Sequence, residues 1–239
     1  MGQLKVSPFS IADLLHRLNT EKGFSFARYG DGTFLCLTGS HGFNCDGASI
    51  DSSQAAGLRE SLKDDSIAHG IGGLAVDVGA IRWLKQQEID IEWFDCDVLH
   101  SASLKGRLLP FVEWVRKRRV LFIGPEHLRR LKAFPVGYFL EVHPTRAAEQ
   151  IEETIAIAGF AIEKGILNTV LLSAGPSTPT LVSRIHKLYP WVNVIDTGSV
   201  WDAYVGVLSR KVFRKAGKRR LRELGQLNFK QEIASWWIT

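Results

Sequence analysis

Short apolar runs alternate with longer stretches of helical periodicity along most of the chain. Runs rich in β-branched and aromatic residues occupy 120–124, 138–142, 169–172 and 192–195. Between them, apolar positions recur at helical spacing over 146–164 and 178–188. Such an alternation predicts βαβ units, which build a mainly parallel sheet covered by helices on both faces.

The first half of the chain follows the same rhythm less regularly. Ser10 and Asp13 fit a capping box that opens a helix, and Gly23 ends it before a strand that starts at Phe24. Helices are also predicted over 54–62, 76–87 and 104–118, and strands over 67–71 and 91–98. We therefore predict an α/β fold, a single Rossmann-like domain over 1–208 with a helical, basic C-terminal extension over 209–239.

The bulk composition is that of an ordinary globular protein, with 45% hydrophobic and 23% charged residues among 239. No uncharged apolar run reaches the roughly 18 residues of a membrane span, and no apolar signal core opens the chain. Three cysteines, Cys36, Cys45 and Cys96, show no metal-binding spacing. Reduced thiols and a cytoplasmic location are the simplest interpretation, with Cys36 a nucleophile by position or, more commonly, a small buried residue.

Positive charge is concentrated near the C-terminus. The formal net charge is +5, but residues 210–222 carry eight cations and no anion, which leaves about −3 for the rest of the chain. The cations are Arg210, Lys211, Arg214, Lys215, Lys218, Arg219, Arg220 and Arg222. Such a segment attracts nucleic acid or anionic membrane surfaces, and a solvated tail helix is an equally good structural interpretation.

Polar or glycine-containing segments follow four of the predicted strands. They are 28–31, 124–127, 173–177 and 196–199. The carboxyl ends of parallel strands share one edge of the sheet, and open α/β sheets bind their ligands at that edge. We therefore expect these four segments to lie on the same edge of the molecule.

The first segment continues as Arg28-Tyr29-Gly30-Asp31-Gly32, with a carboxylate between two glycines. Gly32 allows a sharp turn or the close approach of a ligand. Asp31 is then a candidate catalytic residue, placed to hold a metal, a ribose or an acceptor hydroxyl, and Arg28 is placed to neutralise a phosphate. Gly-Asp-Gly is also ordinary turn chemistry, so the tripeptide alone does not separate a site from a turn.

The third segment, Ser173-Ala174-Gly175-Pro176-Ser177, is the best candidate for phosphate binding. Gly175 permits a close approach, and Ser177 can cap the helix that follows. The N-terminal N–H groups and the dipole of that helix favour a diphosphate. A purely structural strand-to-helix turn would have a similar sequence.

Three further residues are candidates for donor binding. Asp196 follows a strand, where acids accept ribose hydroxyls or bind divalent cations. His143 and Arg146 could contact a phosphate, although a histidine before proline is commonly a hydrogen-bonded loop residue.

Three residues are candidates for catalysis by proton transfer. Glu126 or His127 could act as a general base, and their spacing does not select between them. Asp202 could assist the acceptor hydroxyl, and it also suits the first turn of a helix.

Together these motifs resemble the GT-D-type glycosyltransferases, long catalogued as a domain of unknown function in bacterial glycan clusters. Residues 26–32 look like the family's Arg-aromatic-Gly-Asp-Gly-Glu signature. Residues 172–177 are similar to its alanine-glycine-proline loop, and 194–204 to its Asp-Ile-Gly stretch and the acidic-aromatic segment after it. Order and spacing agree from about residue 24 to 205.

The resemblance implies transfer of a sugar from a nucleotide-sugar, expected to be a UDP-sugar, to a hydroxyl acceptor. The acceptor could be a glycan intermediate, a protein or a hydroxymethylated base in DNA, and the eight cations near the C-terminus are the reason to keep the DNA acceptor. The family's Asp-x-Glu would bind Mn²⁺ or Mg²⁺ against the donor diphosphate. Here Asp31 matches the Asp, but Thr33 replaces the Glu, and a hydroxyl is a much weaker cation ligand. Arg28 or the basic segment could neutralise the leaving diphosphate instead of a metal, or Asp196 could complete the metal site. The alternative is a non-catalytic nucleotide- or nucleic-acid-binding module; the oligomeric state is not predicted.

Overall fold

A computed structural model describes residues 4–40, 42–43, 49–50, 52–73, 75, 79–165 and 167–207. The strands are β1 (Val6–Ser7), β2 (Ser25–Tyr29), β3 (Gly42–Phe43), β4 (Ser49–Ile50), β5 (Ala68–Ile71), β6 (Trp93–Asp95), β7 (Val120–Gly124), β8 (Tyr138–Glu141), β9 (Thr169–Leu172) and β10 (Asn193–Asp196). The helices are α1 (Ile11–Thr20), α2 (Asp31–Leu37), α3 (Ala55–Leu62), α4 (Ala80–Gln86), α5 (Val98–Leu104), α6 (Leu109–Arg116), α7 (Ile151–Gly165) and α8 (Thr178–Leu188). Short 3₁₀ helices cover Ser52–Gln54, Glu126–Arg130, Ala147–Gln150, Gly175–Ser177 and Asp202–Val205.

Eight strands form one sheet in the order β1-β6-β5-β2-β10-β9-β7-β8, and each neighbouring pair in it is parallel. The strands β3 and β4 form a separate antiparallel pair. The predicted α/β fold with a mainly parallel sheet is confirmed. Because β2, β7, β9 and β10 are parallel, the four polar strand ends do share one edge.

Helices cover both faces of the sheet, as predicted. Alternation along β2 sends Ala27 and Tyr29 to one face and Phe26 to the other. The first face packs against apolar residues of α2, α3, α4, α7 and α8, and the second against α1, α5, α6 and the segment Asp202–Val205. Strands buried on both faces explain why their sequences read as continuous apolar runs.

The two central strands send the chain to opposite faces. After β2, helix α2 buries Phe34 and Leu37 on the first face, whereas after β10 the chain buries Val200 and Trp201 on the second. In an open α/β sheet this is a topological switch point, and it leaves a crevice outside the carboxyl ends of the two strands.

Some predicted elements differ from those observed. The helix predicted over 104–118 is the shorter α6, which has Pro110 in its first turn, and the preceding helix α5 was not predicted. The strand predicted over 91–98 ends at Asp95. The sharp turn expected at Gly32 is absent, because this residue lies in the first turn of α2. The capping box of Ser10 and Asp13 is confirmed.

Part of the prediction lies outside the described residues. The basic extension over 209–239 with its eight cations belongs there, as does Cys45, and the domain limit at 208 stays a prediction. Within the described ranges, no helix is both long enough and apolar enough to cross a membrane.

Candidate functional site

A buried carboxylate lies where β2 and β10 meet. Asp196 Oδ1 accepts a hydrogen bond from the N–H of Gly198 at 2.9 Å, and Oδ2 accepts one from the N–H of Arg28 at 3.2 Å. The Nη1 atom of Arg28 lies 3.9 Å from Oδ1. Burial raises the pKa of Asp196 to about 6, although the Arg28 guanidinium and the two N–H groups oppose the shift.

The guanidinium of Arg28 connects three segments at this edge. Its Nε donates to the carbonyl of Cys96 at 2.7 Å, and Nη2 donates to Asp97 Oδ1 at 3.3 Å and to His100 Nδ1 at 3.1 Å. The His100 Nε2 lies 3.2 Å from Ser199 Oγ, in the segment after β10. Arg28 therefore has protein partners for much of its guanidinium, and its predicted contact with a donor phosphate stays a prediction.

Gly198 makes this arrangement sterically feasible. Its φ of +52° is in the left-handed region, which disfavours other residues. A Cβ here would collide with Nη1 of Arg28 and would lie 3.3 Å from Cε1 of His100. The glycine is therefore required both by the backbone and by the buried arginine.

The segment after β9 is joined to the segment after β10. Ser173 Oγ donates to the carbonyl of Gly198 at 2.6 Å and lies 3.1 Å from Thr197 Oγ1. Ser177 is buried, and its hydroxyl donates to Gln54 Oε1 at 3.2 Å. Both serines use their hydroxyls within the protein, so a ligand would meet mainly the backbone of this segment.

The exposed part of the predicted phosphate segment is Gly175. Its φ is +63°, and a Cβ built on it would have nothing within 4 Å. Thr178 Oγ1 accepts from the N–H of Ala174 at 3.2 Å and donates to the carbonyl of Gly175 at 2.8 Å. Next to it Pro176 is buried, and α8 begins directly after this segment. The arrangement leaves open space beside the N-terminus of an 11-residue helix.

Asp31 is the first residue of α2, a helix that packs against Gly175–Ser177. Its Oδ1 accepts a hydrogen bond from the N–H of Gly32 at 2.9 Å. The N-cap residue Gly30 is extended, and a Cβ on it would meet nothing within 4 Å. The carboxylate of Asp31 is thus half-buried at a helix N-terminus, beside the predicted phosphate segment and open space.

The residues that the structure describes do not fit a cation site built by the protein alone. Within the described ranges, no three His, Cys, Asp or Glu side chains are grouped closely enough to hold a metal ion. Thr33, at the position of the Glu in Asp-x-Glu, is buried, and its hydroxyl is a weak cation ligand beside Asp31. Asp196 is already bound by Arg28 and Gly198.

A histidine–carboxylate pair lies at the same edge, between the segments that follow β7 and β10. His127 Nε2 is 3.0 Å from Asp202 Oδ1, and the Asp202 side chain is 12% exposed against 30% for His127. Glu126 is exposed to solvent. Asp202 is in the first turn of the 3₁₀ helix Asp202–Val205, as its sequence also allowed.

The loop after β8 holds the remaining candidates for donor binding, His143 and Arg146. His143 Nδ1 accepts hydrogen bonds from the N–H groups of Thr145 and Arg146, both at 3.2 Å. His143 therefore stabilises its own loop, while Arg146 is exposed. A small cleft between Pro144, Thr145 and the segment Gly175–Ser177 brings this loop beside the predicted phosphate segment.

The sequence prediction did not single out Asp97, His100, Gln54 or the contact of His127 with Asp202. The strand predicted over 91–98 concealed a fifth polar strand end, Asp95-Cys96-Asp97, which supplies partners of Arg28. The two acids in that stretch were the available signal. Gln54 and His100 act through contacts that their local sequence does not reveal.

Two solved structures resemble the chain over most of its length. One is a selenomethionine-substituted structure of domain of unknown function 1792, with a TM-score of 0.62 and 14% identity over 83% of this chain and 80% of that one. The other is described as showing that the highly conserved domain of unknown function 1792 has a distinct glycosyltransferase fold; its TM-score is 0.62, with 16% identity over 86% and 84% of the two chains.

No protein-family model matches the chain, and neither does any curated protein sequence. At 14% and 16% identity, the structural likeness establishes the fold. The chain has the fold of domain of unknown function 1792, a distinct glycosyltransferase fold, as the resemblance of its motifs predicted.

Proposed function

We propose that the protein is a glycosyltransferase that moves a sugar from a nucleotide-sugar, expected to be a UDP-sugar, to a hydroxyl acceptor. One observation carries this proposal: the three motifs at 26–32, 172–177 and 194–198 end on adjacent strands, β2, β10 and β9, at the switch point of a glycosyltransferase fold. Arg28 and Asp196, which are 168 residues apart in sequence, are hydrogen-bonded there. Ligands of open α/β sheets bind in such a crevice.

In this proposal the donor diphosphate lies over Gly175, at the N-terminus of α8. The dipole of that helix stabilises the negative charge that grows on the diphosphate as it departs. The helix offers fewer free N–H groups than usual, because Pro179 has none and the N–H of Thr178 donates to the carbonyl of Gly175. The open space beside Gly175 and Gly30 admits the donor, because no atom would lie within 4 Å of a Cβ at either position. Asp31 then accepts hydrogen bonds from donor hydroxyls.

Asp196 has a supporting role in the same proposal. It holds the backbone of Arg28 and Gly198, so it fixes the floor of the crevice under the donor. Arg146 is exposed and lies in sequence between Thr145 and Ala147, which line the small cleft, and in this proposal it adds positive charge near the donor. Asp196 and Arg146 therefore act on the nucleotide part of the donor in this proposal, and neither contacts the acceptor.

The test is a screen of nucleotide-sugars for release of nucleoside diphosphate, with and without Mn²⁺ or Mg²⁺. Asp31→Ala is expected to lower turnover by ~10- to 100-fold. This factor corresponds to the loss of one hydrogen bond to a charged group, which contributes about 1.5–3 kcal/mol. The matched control is Asp65→Ala, which removes an exposed carboxylate just before β5, at the opposite edge of the sheet, and is expected to retain full turnover.

The outcomes separate the candidate functions. Turnover that depends on Asp31 supports the glycosyltransferase, and the cation series shows whether Mn²⁺ or Mg²⁺ is required. Binding of UDP without turnover of any donor supports a non-catalytic nucleotide-binding module. A protein that neither turns over donors nor binds nucleoside diphosphates contradicts the proposal.

A further inference from the structure

The pair formed by His127 and Asp202 is separate from the residues that line the proposed diphosphate position. It joins the 3₁₀ helix Glu126–Arg130, which follows β7, to the 3₁₀ helix Asp202–Val205, which follows β10. Both segments pack on the second face of the sheet, through Leu128 and Tyr204. The proposed donor segments Asp31–Leu37 and Gly175–Ser177 belong to the other side of the crevice.

The contact fixes the orientation of the imidazole. A carboxylate only accepts hydrogen bonds, so His127 Nε2 carries the proton in its 3.0 Å contact with Asp202 Oδ1. In the neutral ring, Nδ1 is then the atom with the lone pair. Among the residues that the structure describes, Nδ1 of His127 has no hydrogen-bond partner. The side chain is 30% exposed, so this basic nitrogen is accessible from solvent.

Asp202 is itself held firmly. Its N–H donates to the carbonyl of Ser199 at 3.3 Å, its carbonyl accepts from the N–H of Val207 at 2.8 Å, and the residue is 8% exposed. A buried carboxylate behind a more exposed imidazole orients the ring and stabilises the cation that forms when the ring takes up a proton. Glu126, by contrast, makes no hydrogen bond or ion pair to any described residue and is exposed.

We propose that His127 is the general base for the acceptor hydroxyl and that Asp202 is the residue that positions it. The proposal rests on the proposed function and deepens it. Nδ1 removes the proton of the acceptor O–H while the acceptor oxygen bonds to the anomeric carbon of the donor sugar. The bond from that carbon to the diphosphate oxygen breaks, and its electron pair leaves with the nucleoside diphosphate. Such a single displacement inverts the anomeric configuration.

The experiment uses water as the acceptor, because a base that activates an acceptor hydroxyl also activates water. Release of UDP is measured with those UDP-sugars that the wild-type protein hydrolyses, and UDP binding is measured separately by calorimetry. His127→Ala is expected to lower kcat by ~10²- to 10⁴-fold, the usual contribution of a general base, with the Kd for UDP within about twofold of wild type. His16→Ala removes an exposed histidine of α1 and is the matched control, expected to behave as wild type.

Added imidazole distinguishes a chemical role from a structural one. It is expected to restore part of the kcat of His127→Ala, and more basic imidazoles should restore more, which a loop-stabilising role does not predict. Asp202→Asn should lower kcat with little change in KM, and Asp202→Glu should recover part of the loss. If His127→Ala does not fold, His127→Asn keeps a donor towards Asp202 and still removes the base.

Several results would overturn the inference. Full kcat in both His127 variants excludes the role, and so does a loss confined to Glu126→Gln, which would assign the base to Glu126. NMR of the freshly released sugar measures its anomeric configuration, and retention of that configuration contradicts the single displacement. Binding of UDP without hydrolysis of any donor removes the step that the base would assist, whereas absence of UDP binding shows that the proposed function itself has failed.

Discussion

At the scale of single residues, the ionisation of Asp196 is coupled to folding at mildly acidic pH. Its pKa is about 6 in the folded protein against 3.8 for the ordinary group, mainly because burial penalises the charged form. A carboxyl group with a raised pKa binds more protons in the folded than in the unfolded state between these two values. The free energy of unfolding therefore falls as pH rises from about 4 to about 6, and this contribution is constant above that range.

The prediction is that Asp196→Asn removes this pH dependence. The difference of roughly two pKa units corresponds to about 3 kcal/mol in the free energy of unfolding. The wild-type protein loses this amount as pH rises from 4 to 7, and the variant does not. Asparagine keeps an acceptor oxygen for only one of the N–H groups of Arg28 and Gly198 and turns its NH2 group towards the other, so the variant is less stable at every pH but no longer titrates. Urea unfolding of both proteins across this range measures the difference between them, in which the other titrating groups cancel. Two curves that run parallel would refute the raised pKa.

At the scale of elements, local signals predicted local structure well. The capping box of Ser10 and Asp13 and the apolar spacing after it were sufficient for α1. Helix α2 had no comparable signal, because Gly-Asp-Gly has poor helix propensity. It is helical because Phe34, Cys36 and Leu37 are buried against the first face of the sheet. That contact depends on residues distant in sequence, as does the end of β6, where Arg28 binds the carbonyl of Cys96.

The coupling of strand ends through Arg28 gives a prediction at this scale. Gly198→Ala should destabilise the protein by more than Gly206→Ala and should also lower donor turnover. Both glycines have positive φ, at +52° and +83°, so each substitution adds backbone strain of about 1–3 kcal/mol. Only at Gly198 does the new Cβ also collide with the Arg28 guanidinium. Denaturant unfolding and UDP release measure the two effects, and equal losses in both variants would show that the collision is relieved without cost.

At the scale of the whole molecule, the sheet was predictable but its strand order was not. Alternating strands and helices are visible in sequence, whereas placing β10 between β2 and β9 requires pairings between distant segments. For the same reason the sequence indicated Arg28, Asp196 and Ser173 as separate strand ends, but not the hydrogen bonds between these ends. Order and spacing of the motifs identified the fold despite only 14–16% identity to its structural neighbours.

Charge is the remaining property of the whole chain, and it bears on the acceptor. Eight cations over 210–222 outweigh a remainder of about −3, so a DNA acceptor would be held largely by phosphate contacts from this segment. In that case the logarithm of the DNA affinity falls linearly with the logarithm of salt concentration, and each phosphate contact adds about 0.9 to the magnitude of the slope. Replacing four of the cations by glutamine should reduce this slope by roughly 3 to 4. The four are Lys218, Arg219, Arg220 and Arg222.

A control with the same net charge replaces four exposed lysines of the described surface, which are Lys63, Lys105, Lys117 and Lys164. If the segment provides the contacts, this control keeps most of the wild-type slope, because a global change in charge acts weakly beyond the Debye length of about 10 Å at 0.1 M salt. Fluorescence anisotropy with a labelled duplex from 50 to 200 mM salt measures both slopes. A flat response in the wild-type protein would exclude a DNA acceptor and leave a hydroxyl of a glycan or a protein, since only binding to the DNA polyanion releases condensed counterions.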